Sequence, residues 1–204
     1  MPRPVHADAE ATRRRLVDAA IWLFARDGFA GASTRDLAGR AGVNVATLSY
    51  YFKSKRGLYE AAVDEVYKRI GRRAATVLAG VDPSDIHDVL DRLYTAARAE
   101  RDGIRLLVRQ ILDYGRLTPR TEARHFVPET EQAAQLIARQ LGCPTERARS
   151  ALVTTAYLVS RYVIQDEASL AAAFGSPSAA AAHRRVVKSL ATVARALLGV
   201  EGDE

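Results

Sequence analysis

The sequence predicts an all-α chain, and three observations point there. Alanine is abundant among hydrophobic residues that make up 48% of the chain, and alanine is the residue a helix accommodates at least cost. Apolar residues recur three and four apart through most of the sequence, the period of one helix face. The thirteen glycines and seven prolines fall largely at the ends of those periodic runs. At 204 residues the chain can form one domain of fair size or two small ones sharing a core.

Residues 1–7 hold two prolines and little to bury. They read as an arm, on which Arg3 is a possible DNA contact. Asp8 is placed to cap a first helix running to about Asp27, with Leu16, Ala19, Ala20, Leu23 and Phe24 forming its apolar stripe. Gly28 ends it.

The stretch Ser33 to Leu58 is the most informative. Ser33 is a cap with Asp36 three residues on, the spacing of a capping box. Leu37, Ala38 and Ala41 line the inner side of the short helix that follows. Gly42 supplies the bend, because a residue without Cβ takes a positive φ at low cost. Asn44 caps a second helix, Asn44 to Tyr51. With Leu48 at the centre of its buried side, Ala46 and Tyr50 point almost directly outward, flanked by Thr47 and Ser49. The outward face is small, hydroxylated and aromatic, with no acid on it. Lys53, Lys55 and Arg56 follow at once. A helix entering the DNA major groove needs a slim reading face with cations beside it for phosphates.

A long helix starts at Lys55 behind a Ser54 cap and runs to about Ala79, its inner side marked by Leu58, Ala62, Val66 and Ile70. A helix from Pro83 to about Arg101 turns Ile86, Val89, Leu90, Leu93 and Ala97 inward. Gly103 breaks it. Ile104 to about Arg116 is the next helix, with Leu107, Val108, Ile111 and Leu112 inward. Leu117 to Pro128 carries two prolines and reads as a loop. A helix then reaches Leu141. Two long helices close the chain, Thr145 to Asp166 and Ser178 to Leu198. Both are apolar on more than one side, which predicts burial against the core and against a second copy. An antiparallel pair meeting its own copy forms a four-helix bundle about a two-fold axis.

Net charge is +6. The excess is concentrated early: residues 1–60 hold ten Lys and Arg against six Asp and Glu, and the remainder holds twenty against eighteen. Basic residues beside a helix-turn-helix suit nucleic acid. The single cysteine excludes an internal disulfide framework and fits a reducing compartment. No apolar run is long enough to span a bilayer, and the first residues lack the apolar core of a signal peptide. The expected location is the cytoplasm, with no membrane partner.

Catalysis would need a constellation that the sequence lacks. The four histidines (6, 87, 125 and 183) have no metal-ligand spacing. No glycine-rich phosphate loop or nucleophile elbow is present. Catalytic residues, metal ligands and cofactors are therefore all expected to be none, and the chain is not expected to be an enzyme.

The runs Ser33-Thr34-Arg35-Asp36-Leu37-Ala38, Ala41-Gly42-Val43 and Thr47-Leu48-Ser49-Tyr50-Tyr51-Phe52-Lys53-Ser54-Lys55 closely resemble the DNA-binding segment of the TetR family of bacterial transcriptional regulators. The resemblance implies a three-helix helix-turn-helix DNA-binding domain over residues 1–55. It implies a helical effector-binding and dimerisation domain over 56–204. The expected function is a ligand-responsive dimeric regulator, a repressor released from a palindromic double-stranded operator by a small-molecule effector. The expected dimer forms through the last two helices. An effector-independent architectural DNA binder and an all-helical enzyme are the alternatives.

By position, Thr47, Tyr50, Tyr51 and Lys55 correspond to residues that hold the DNA backbone. Thr34 and Arg35 match residues that meet a phosphate or a base edge. Val45, Ala46 and Ser49, behind the Asn44 cap, occupy positions that face bases. Many members carry a larger residue where Ser49 stands, which leaves more of the readout to Arg35 and to DNA shape. Candidate effector contacts in the second domain are Tyr67, Tyr94, Arg109, Gln110, Tyr114, His125, Tyr157 and Arg161.

Overall fold

The computed structural model describes residues 5–200, and every regular element among them is helical. They form two compact units. The first comprises residues up to Arg69 together with Asp102–Thr118, and the second comprises Ile70–Arg101 with the residues from Pro119 onward.

In the first unit, α1 spans Val5–Gly31. It begins within the stretch expected to be an arm, so Asp8 lies inside the helix and does not cap it. The rest of that arm, Arg3 included, lies outside the described residues. Gly28 sits at φ +72° and kinks the helix, so α1 resumes for another turn where the sequence implied an end. The predicted stripe is buried: Leu16, Ala20 and Phe24 are fully covered, with Ala19 and Leu23 nearly so. The Phe24, Phe29 and Tyr59 rings meet at centroid distances of 5.0–5.9 Å, favourable edge-on and offset geometries.

Helices α2 (Thr34–Arg40) and α3 (Val45–Phe52) follow, then α4 (Lys55–Leu78). Leu37, Leu48, Leu58 and Ala62 close the small core, each at most 1% exposed. Helix α6 (Arg101–Tyr114) contributes residues to the same unit. Gly103 does not break the chain here. It lies inside α6 and is buried. The buried face of α6 runs through Ile104, Leu106 and Gln110, so the inward stripe expected from Leu107 to Leu112 is rotated. Leu112 is 76% exposed. The polar Gln110 at the centre of the true face hides it from an apolar count.

In the second unit, α5 spans Ile86–Arg98 behind an Asp85 cap, whose carboxylate accepts the Asp88 N–H at 3.0 Å. The expected start at Pro83 is three residues early. The stretch 117–128 is largely helical, against the expected loop. It consists of α7 (Pro119–Thr121), a π turn (Glu122–Phe126) and the start of α8 (Val127–Leu141). Pro119 opens its helix, where a missing N–H costs nothing. Pro128 follows the π turn, whose wider coil accommodates a ring that would clash in a regular helix. Helix α9 (Thr145–Ile164) and helix α11 (Ala179–Leu198) pack together, with α8 on α9 and α5 on α11. Ser178 caps α11 as its position suggests, accepting the Ala181 N–H at 3.2 Å. A short helix that sequence reading missed, α10 (Glu167–Ala173), lies between them and packs on α11. Val163, Val186, Val187 and Leu190 are fully buried at the centre.

Candidate functional site

Helix α2 is held at its start by Ser33. The Asp36 N–H donates to Ser33 Oγ at 3.1 Å, and the hydroxyl donates back to Asp36 Oδ2 at 2.5 Å. The return bond comes from the hydroxyl and not from the backbone N–H of a standard capping box. Gly42 takes φ +67° at the turn. Asn44 then caps α3: its Oδ1 accepts the Thr47 N–H at 2.8 Å and the Thr47 hydroxyl at 2.9 Å. The cap fixes both the start of α3 and the rotamer of Thr47.

Leu48 and Phe52 anchor α3 from below, 1% and 8% exposed. That anchorage sets the phase of the opposite side. Ala46, Ser49 and Tyr50 are exposed, Tyr50 by 74%, and Val45 by 41%. Thr47 and Tyr51 are half-buried. The Tyr50 and Tyr51 rings meet edge to face, centroids 5.2 Å apart at 88°, which stiffens an otherwise unsupported ring. At the head of α2, Arg35 is exposed and Thr34 half-buried. The ten candidate DNA-contacting residues thus lie on α2, α3, the cap between them and the first residue of α4.

Lys55 has a second attachment. Its Nζ donates to the Ala32 carbonyl at 3.0 Å and stands 4.6 Å from the centre of the Phe29 ring. It ties the start of α4 to the end of α1. Between α3 and α4 the chain reverses through Lys53, the only non-glycine residue with positive φ (65°) among the described residues. Two guanidinium groups stand over the Trp22 ring, Arg40 at 3.6 Å and Arg26 at 4.3 Å from its centre; Arg26 is itself paired with Asp27 at 2.7 Å.

The candidate effector contacts are distributed. Tyr67, Arg109, Gln110 and Tyr114 belong to the first unit. There Tyr67 and Gln110 are buried, Arg109 donates to the Arg26 carbonyl at 3.0 Å, and Tyr114 is 54% exposed. In the second unit, His125 is buried with Nδ1 3.4 Å from Glu129. Burial pushes the Glu129 carboxyl up, against the pull of His125. Tyr157 is 52% exposed and Arg161 is exposed, both on α9.

Tyr94 lines a cavity of about 460 Å³ within the second unit, between α5, α10 and α11. Sequence reading missed its other polar walls: Asp91, Arg98, Glu167, His183 and Arg184. A signal existed, because Asp91, Tyr94 and Arg98 share one face of α5 at i, i+3 and i+7. Among the described residues no three His, Cys, Asp or Glu side chains cluster as metal ligands, and no helix is long and apolar enough to cross a membrane.

Comparison with known proteins agrees with this geometry. The sequence model for bacterial regulatory proteins of the tetR family matches residues 16–62, from mid-α1 to the early part of α4. Bacillus subtilis "Probable HTH-type transcriptional regulator YttP" is 36% identical over 83 residues, 41% of this chain and 40% of that protein. An HTH-type transcriptional repressor of Streptomyces coelicolor is 32% identical over 131 residues, 64% of each chain. The chain thus matches less than two thirds of the length of these relatives. The crystal structure of a TetR-like transcriptional regulator from a Rhodococcus species superposes with a TM-score of 0.64 at 20% identity, over 98% of this chain and 99% of that one, a likeness of fold. Residues 16–62 are thus similar in sequence to the tetR family of bacterial regulatory proteins, and the whole chain shares the fold of a solved TetR-like regulator.

Proposed function

We propose that this chain is a cytoplasmic, dimeric transcription regulator that lays α3 in the major groove of a palindromic operator. The observation that carries the reading is the outward face of α3: Ala46, Ser49 and Tyr50 are exposed while Leu48 and Phe52 lock the helix from behind. A slim face without an acid can approach base edges closely. Val45, Ala46 and Ser49 face bases. Thr47, Tyr50, Tyr51 and Lys55 hold the sugar-phosphate backbone. Thr34 and Arg35, at the positively polarised start of α2, meet a phosphate or base edge.

Two copies pair through α9 and α11. Support comes from apolar residues left half-exposed on those helices, Leu152, Leu158, Val159, Val193 and Leu197. Two reading helices must then lie about 34–36 Å apart, or a multiple, to enter successive grooves. A small molecule that favours another spacing releases the operator, with a coupling typically of about 1–3 kcal/mol. Repression is the regulatory sense supported by the Streptomyces relative, which is named a repressor. The cavity in the second unit supports ligand response over constitutive binding.

Selection of bound sequences from random duplex DNA tests the reading. It is expected to enrich an inverted repeat whose half-sites lie one or two helical turns apart. Enrichment of a single unrepeated site would contradict the dimer, and no enrichment would contradict sequence recognition.

A further inference from the structure

The cavity between α5, α10 and α11 has one buried hydroxyl without a well-formed partner. Tyr94 is fully buried, and its hydroxyl makes no well-formed hydrogen bond. The Arg98 guanidinium is beside it, and burial keeps the phenol protonated, as a donor, against the opposing influence of that cation. Arg98 is paired with Glu167. The two partners are unequally held: the Glu167 side chain is 61% exposed and the Arg98 side chain 29%. Glu167 is the first residue of the seven-residue helix α10.

The other acid on the wall, Asp91, is engaged by His183 Nε2 at 2.7 Å. Leu170 and Ala182 supply a buried apolar surface, 2% and 1% exposed. The cavity, about 460 Å³, falls in the range of small-molecule clefts.

We propose that this cavity binds a small organic monocarboxylate, which takes the place of the Glu167 carboxylate on Arg98 and accepts a hydrogen bond from the Tyr94 hydroxyl. A guanidinium presents a planar fork that matches any carboxylate, whether from a side chain or from a ligand. The ligand gains the Tyr94 donor, which Glu167 leaves unused, and lays its apolar part on Leu170 and Ala182. A cationic ligand fits less well, because both wall acids already have cationic partners or a histidine. The site deepens the ligand-responsive reading above and rests on that reading for its consequence at DNA.

The test is calorimetric titration of the full chain, without DNA, using benzoate and hexanoate against their neutral amides. At least one carboxylate is expected to bind roughly tenfold or more tightly than its amide, a difference that a charge-assisted fork can supply. Glu167→Gln removes the competitor and is expected to tighten that carboxylate severalfold. Arg98→Gln is expected to abolish the preference for carboxylate over amide. Tyr94→Phe is expected to weaken carboxylate binding while leaving Tm unchanged or higher, since it deletes a buried hydroxyl that makes no well-formed hydrogen bond; a structural hydroxyl would lower Tm. Binding of neither carboxylate to the wild type or to Glu167→Gln would overturn the assignment. So would equal binding of acid and amide, or weaker binding by Glu167→Gln. Failure here leaves the operator selection untouched, whereas carboxylate binding that never shifts operator affinity counts against the ligand-responsive reading and not against the site.

Discussion

Gly57 lies so close to the carbonyl of Phe52 that a Cβ on it would fall well inside van der Waals contact with the oxygen. The two residues face each other across the reversal that joins α3 to α4, where Lys53 takes its positive φ and the Gly57 N–H donates to Ser54 Oγ at 3.1 Å. The last turn of α3 and the first turn of α4 are thereby fixed to one another by backbone contact.

Gly57→Ala is therefore expected to lower stability by about 1–3 kcal/mol, the usual scale of forced backbone strain. Urea unfolding followed by Trp22 fluorescence measures it. An unchanged midpoint would mean that the α3–α4 junction yields easily.

Lys55→Met keeps the aliphatic stem and deletes the ammonium. It is expected to lower stability by about 1–3 kcal/mol through the lost bond to the Ala32 carbonyl. The same unfolding experiment checks it, and a variant as stable as the wild type would show that the tie between α1 and α4 contributes nothing.

Much of this junction was legible in the sequence. Ser33, Gly42 and Asn44 are cap and turn residues whose chemistry is local, so position alone predicts their bonds. The phase of α3 followed from placing Leu48 at the centre of its buried side. What escaped reading depended on tertiary contact. Gly57 looks like an ordinary residue in a helix until Phe52 is folded over it. Gly103 reads as a breaker but is buried within α6. Pro119 and Pro128 suggested a loop, although one opens a helix and the other follows a π turn. Lys55 suggested a phosphate ligand, and nothing local reveals its bond to Ala32. Tyr94 was picked out by its residue type, while its cavity partners on α10 and α11 come from a helix that was missed and from a chain separation of some ninety residues.

Arg35 stands exposed at the head of α2. Arg35→Ala is expected to reduce the slope of log affinity against log salt by about one, as for the loss of one phosphate contact. Titrations at several salt concentrations decide it; an identical slope would remove Arg35 from the phosphate-contacting set.

Acid should loosen α10 first at its cap. Asp166 Oδ1 accepts the Ser169 N–H at 2.9 Å. The bonds from Ser169, backbone first and then hydroxyl, hold the carboxyl below the usual aspartate range. A lowered folded value means the cap's contribution is complete above the unfolded pKa, about 3.9, and is lost as pH falls through the folded value. Asp166→Asn keeps a capping oxygen but cannot titrate. Its Tm is expected to fall less steeply than the wild type's below about pH 4, and parallel curves would contradict this.

Tyr50→Ala should separate recognition from folding. A side chain 74% exposed is expected to change stability by less than about 0.5 kcal/mol, while operator affinity falls roughly tenfold or more. A large loss of stability with DNA binding intact would show that the ring serves the core.

The central claim, that the outward side of α3 meets DNA, is tested most directly by adding the selected duplex to ¹⁵N-labelled protein and mapping amide shifts. The largest changes are expected at residues 44–51, with a second cluster at Thr34 and Arg35. Shifts centred on any other surface, with Ala46, Ser49 and Tyr50 unmoved, would contradict it.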